Sequence, residues 1–270
     1  MDVDGLQDRF ALKKFSFLSV RYVSLVKELT VSRFKVSEQG TFLGFFWTLL
    51  YPLLSLGILY SLFSGNIGRE IPHYGVYLFA GLIMWNLFSN ATTRGLGSIL
   101  FMRGILKNIN MPYEVPVISE VFVRFISFIL ELLILYAIII VSGVGVGVEI
   151  LAVPFILMLA LLLILSLSFL LAVLNVFFSD VNHVWALTLN VLFFTTPVFY
   201  DPSRLIGGPF IALYNLNPVA NVIVFMRDVS LFHRMPRMDL VVYTSVFVLA
   251  SFAVTFFILK RMEPRIAEEL

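Results

Sequence analysis

The residues best able to do chemistry in this 270-residue chain are a few charges set among apolar neighbours. Glu120, Arg124 and Glu131 share one hydrophobic stretch, 117–141. Glu120 and Arg124, four apart, fall on one helix face and can pair or snorkel. Glu131 lies deeper, seven residues from Arg124 and too far for easy direct contact. An ionisable group at that depth marks either an ion-handling site or a carboxyl turned inward, paired or protonated, at a helix or subunit interface. Other chemistry is missing. The three histidines (His73, His183, His233) are scattered and there is no cysteine, so neither a zinc site nor a disulfide framework is expected. No phosphate-binding G-x-x-x-x-G-K-[ST] occurs, nor G-x-S-x-G, nor H-E-x-x-H. The alternation SGVGVGVE at 142–149 lacks dinucleotide-fingerprint spacing. The chain is therefore expected to be no enzyme by itself and to bind no cofactor or nucleic acid.

The elements that would carry these residues are membrane spans. Hydrophobic residues make up 60%, charged residues 13%, and mean hydropathy is +0.96. Six runs are apolar enough to read as spans: 42–63, 74–90, 117–141, 151–178, 184–199 and 240–259. The fourth and fifth are joined by five residues and form a hairpin, in whose turn Asp180 and Asn182 can cap the next helix. Pro52 is expected to kink the first span. Asn86 and Asn90, on one face of the second, suit bundle packing or pore lining.

Segment 1–41 reads as an amphipathic interface segment rather than a signal peptide. Phe15, Leu18, Tyr22, Leu25, Val26 and Leu29 recur at helical spacing with Arg21 and Lys27 between them, and the whole segment carries seven Lys and Arg. Its basic face suits lipid headgroups or a cytoplasmic partner. The loop 91–116 holds a short basic helix with an apolar stripe of Ile99, Met102, Leu106 and Ile109. Residues 200–239 contain two eight-residue apolar pieces, 206–213 and 219–226, each too short to cross a bilayer. They read as a re-entrant helix pair. Thirteen Lys and Arg fall on the side of both termini and five on the other, which puts both termini in the cytoplasm. The expected architecture is an all-α polytopic membrane protein. It comprises the interface segment, one transmembrane domain at 42–259 and a cytoplasmic tail at 260–270.

Stretches along most of the chain resemble one family in order: GTFLGFFWTLLYPLLSLGILYSLF at 40–63, YLFAGLIMWNLF at 77–88, LKNINMPYEVPVI at 106–118, FFSDVNHVW at 177–185, TTPVFY at 195–200 and LNPVANVIVFMRD at 216–228. The chain resembles the membrane (permease) subunits of ABC exporters for lipid-linked polysaccharides, the O-antigen and teichoic-acid export permeases. Ser179 departs from the Arg that the family often places before the Asp. The resemblance implies a homodimer in the cytoplasmic membrane enclosing a channel, with two copies of a separate ATPase carrying ATP and Mg. It implies ATPase coupling through Arg103 and Lys107 of the loop helix and Arg21 and Lys27 of the interface segment. It implies an outer gate around Asn217, Pro218 and Arg227. For a sliding glycan the expected channel aromatics are Trp47, Tyr51, Trp85, Phe88, Phe194, Phe199 and Tyr200, because rings stack on sugar faces without a fixed register. Two other readings differ in substrate or class: an exporter of a drug or small lipid on the same architecture, and an ion-coupled carrier built on Glu131.

Overall fold

The structure is a computed structural model describing residues 20–38, 46–109, 111–201 and 214–270, with side chains at 20, 21, 37, 38 and 46–48 left aside. The described residues hold nine α-helices: α1 (Val20–Glu38), α2 (Phe46–Phe63), α3 (Tyr74–Phe101), α4 (Arg103–Asn108), α5 (Glu114–Val141), α6 (Val153–Phe177), α7 (Val181–Thr195), α8 (Pro218–Ser230) and α9 (Met238–Glu269). Short 3₁₀ turns precede α3 and α6. No strand occurs among the described residues. An all-helical solution follows from the solvent, because only intra-segment hydrogen bonds satisfy a single chain segment in hydrocarbon.

Three helical stretches are long and apolar enough to cross a membrane: Glu114–Val141, Val148–Phe177 and Met238–Glu269. The other expected spans differ in instructive ways. α7 has only 15 residues, about 22 Å of helix, while α2 is described over 18, the expected start at 42–45 lying outside the described residues. α3 does not stop near Asn90 but continues to Phe101, so the loop to α5 is shorter than the expected 91–116. α3 is the central post, packed on α2, α5, α6, α7 and α8. Twenty of its 28 residues are buried, so it presents little surface to lipid and tolerates polar residues that would break a lipid-facing helix. α9 runs through Pro264 to Glu269, so the expected tail prolongs the last helix. Its most apolar window is 17% buried against 67% for the α6 stretch, which makes α9 the peripheral helix.

α1 packs along α5 through Tyr22, Leu25, Val26 and Leu29. The expected apolar stripe thus meets protein. Gly143 and Gly145 sit at φ 71° and 77°, so the glycine alternation serves the tight turn after α5. Asp180 stands at the N-terminus of α7 but makes no side-chain cap, and Asn182 instead donates to the Asn175 side chain at 2.6 Å. That turn is closed by an amide bridge rather than the expected cap.

Candidate functional site

α2, α3 and α7 enclose a groove of about 560 Å³. α2 contributes Tyr51, Ser55, Ile58 and Leu59, and α7 contributes Ala186, Leu189, Asn190 and Phe193. Six residues of α3 face it, from Leu82, Trp85 and Asn86 to Ser89, Asn90 and Thr93. Their spacing of three and four puts them on one helix face. The surface alternates aromatic rings with amides and hydroxyls. Trp85 packs edge-on against Phe193, with ring centres 5.6 Å apart, and leans on Phe88 at 5.7 Å. The side-chain nitrogen of Asn86 is buried without a hydrogen-bond partner in the fold.

The expected channel aromatics divide on this geometry. Tyr51 and Trp85 line the groove. Phe88 is buried behind it, against Trp185 and the α6 side, because its position on α3 faces the core. Phe194 is exposed on α7 outside the groove lining. Phe199 stacks on Phe63 at 4.9 Å and touches Phe193, next to the groove rather than on it. Tyr200 is a structural residue: its hydroxyl donates to the Phe194 carbonyl, and its own carbonyl accepts from the Tyr77 hydroxyl. Trp47 lies outside the described side chains. Both asparagines read as packing or lining face the groove. Asn190, Ser55, Ser89 and Thr93 were not singled out in the sequence, since single polar residues inside apolar runs are not distinguished by periodicity alone.

At the N-terminal end of α3, a knot of hydrogen bonds holds the α7–α8 connection. Arg227, 1% exposed, donates to the carbonyls of Tyr77 (3.0 Å), Pro197 (2.5 Å) and Val198 (2.6 Å). Its guanidinium lies 3.6 Å from the Tyr77 ring centre. A Cβ on residue 81 would run into that guanidinium and the Val198 carbonyl, so Gly81 is what lets the arginine in. Asn217 caps α8 by accepting from the Val219 and Ala220 amides, and Pro218 opens the helix. The Asn217 amide also donates to Thr196 at 3.2 Å. Two of the three expected gate residues, Asn217 and Arg227, therefore meet one turn, 196–198, while Pro218 starts the helix that carries them. α8, with 13 residues, is too short to cross and stands against α3 and α6. The other expected piece of the re-entrant pair, 206–213, lies outside the described residues.

At the other end of α3 the charges pair between elements. Glu120 accepts from Arg33 of α1 at 2.5 Å and from Arg94 of α3 at 2.8 Å. These residues line a second cavity of about 270 Å³ that meets the groove at Thr93. Glu120 is thus not the partner of Arg124. Arg124 instead reaches Glu131, Nη2 to Oε1 2.6 Å, and both are buried. The distance expected to separate them is bridged because the Glu131 side chain leans back toward the N-terminus, as helix side chains do. Lys260 of α9 ties Glu114 at the start of α5 and Glu263. Burial, and then the Glu114 carboxylate, push the Tyr22 hydroxyl of α1 above its ordinary range.

Arg103 and Lys107 are exposed on α4, beside exposed Phe101, Ile105 and Ile109, whereas Ile99, Met102 and Leu106 are buried. The expected apolar stripe is therefore split, and Ile109 belongs to the outward face. Lys27 is exposed on α1, and the Arg21 side chain lies outside those described.

Residues 24–231 match the family described as ABC-2 type transporter. The O-antigen export system permease protein RfbA of Myxococcus xanthus is 28% identical over 217 residues, covering 80% of this chain and 84% of that protein. Two Klebsiella pneumoniae proteins of the same name are each 27% identical over 205 residues, covering 76% of this chain and 79% of theirs.

Proposed function

This chain belongs to the ABC-2 type transporter family, as an integral membrane permease subunit, and from that premise we propose that it exports a lipid-linked polysaccharide across the cytoplasmic membrane. In this reading two copies form the channel and two copies of a separate ATPase drive it. The observation that carries the substrate class is the groove: aromatic rings beside amides and hydroxyls suit a polymer with apolar sugar faces and polar edges. The relatives named O-antigen export permeases support the same reading. In this reading the chain has six spans, and the Lys and Arg asymmetry puts both termini in the cytoplasm. Arg103 and Lys107 on α4, with Lys27 on α1, would then meet the ATPase, and the Arg227 knot would act as the outer gate.

Glu131 is bonded to Arg124 and does not line the groove, which weighs against a carrier built on it. Tyr51→Ala and Trp85→Ala are expected to lower glycan export at normal protein levels. Unchanged export in both would remove the groove from the path. Mild solubilisation from the native host should bring down a stoichiometric Walker-motif protein. Its absence, even after cross-linking in intact membranes, would count against the assembly.

A further inference from the structure

Resting on the exporter reading above, we propose that the groove selects an uncharged, hydroxyl-rich glycan, with Asn86, Asn90 and Asn190 hydrogen-bonding to its oxygens as it passes. None of the described residues lining the groove carries a charge. Arg33, Arg94 and Glu120 line the neighbouring cavity instead, where both arginines pair with Glu120. A polymer bearing a phosphate or carboxylate on every repeat would have to be taken out of bulk water without a countercharge, which a membrane protein ordinarily supplies with Arg or Lys. A neutral sugar chain asks only for hydrogen bonds and ring faces.

The amide of Asn86 gives this its sharpest form. Asn86 is 8% exposed, lines the groove, and leaves its nitrogen without an acceptor in the fold. That nitrogen is itself sealed within the fold, so it gains an acceptor when the amide turns toward a hydroxyl or ring oxygen in the groove. Asn90, one turn along the same face, and Asn190 across the groove are both exposed and extend the same chemistry. Tyr51 and Trp85 lie beside these amides. Ring faces and amides side by side fit a pyranose chain better than a polyol phosphate.

Deleting this chain in its host and characterising the lipid-linked glycan retained on the cytoplasmic side tests both levels. After mild-acid release from the lipid, the retained glycan should show no electrophoretic mobility at neutral pH. A polyanionic glycan would overturn the inference and leave the exporter reading standing, whereas retention of no glycan would sink the exporter reading and the inference with it. In the complemented strain, Asn86→Leu and Asn190→Leu should each lower export about tenfold at normal membrane abundance. Asn190 is exposed, so its replacement disturbs no core packing. Undiminished export in both variants would remove the amides from the site.

Discussion

A full positive charge at Arg227 is held by three backbone carbonyls and one aromatic face, with no carboxylate among the contacts described above. The planar fork of a guanidinium matches carbonyls splayed around it, and an ammonium would reach fewer of them. Gly81→Ala should therefore destabilise by about 1–3 kcal/mol through overpacking, read as a lowered unfolding temperature in detergent. A variant as stable as the parent would mean that the knot is looser than its distances imply. The Arg124–Glu131 pair makes a second residue-scale prediction. Glu131→Ala strands a buried guanidinium and should cost about 3–5 kcal/mol, whereas Arg124→Met combined with Glu131→Leu should cost much less. If the double variant instead loses all export while remaining folded, Glu131 has a role in transport. In the sequence both residues stood out as intramembrane charges, but their pairing did not, because seven-residue spacing gives a shared face and not a reach. Arg33 and Glu120, 87 residues apart, were beyond any local reading.

Periodicity and length located the main elements, and their ends were decided elsewhere. α3 runs past Asn90 because burial against five helices, not lipid, sets what it tolerates. The stripe on α1 was legible as amphipathic, yet spacing alone does not distinguish lipid from α5 as its cover. The Glu120 triad fastens α1 to α3 and α5 just before α4. A pull on α4 is thus mechanically shared with α1. Glu120→Gln removes the charge that both arginines address and should loosen α1, seen as faster proteolysis within 20–38 in membrane vesicles. Equal proteolysis in parent and variant would show that apolar packing alone holds the helix. Arg103→Glu with Lys107→Glu reverses the exposed charge of α4 and should leave the ATPase bound but its hydrolysis uncoupled from export. Normal coupling in that variant would move the contact away from α4.

On the scale of the whole molecule, the two-copy channel proposed above would make the groove a half-site. Its three walls come from α2, α3 and α7, and the helices at its two rims are apolar on their outer faces: Leu54 and Leu62 on α2, Val184, Leu187 and Val191 on α7. Lipid would accept those faces, but it would also leave the groove's amides and hydroxyls facing hydrocarbon, where unmatched polar groups are costly. A second copy set rim to rim covers both at once. In a two-fold arrangement α2 of one copy meets α7 of the other, and the contact repeats by symmetry. The absence of native cysteine makes this directly measurable. A chain carrying Leu54→Cys and Leu187→Cys should form covalent dimers on mild oxidation in membranes. One carrying Val246→Cys and Val254→Cys, on the exposed face of peripheral α9, should remain monomeric. If the α9 pair cross-links and the rim pair does not, the two copies meet elsewhere, and the groove must open to lipid along the path of the polymer.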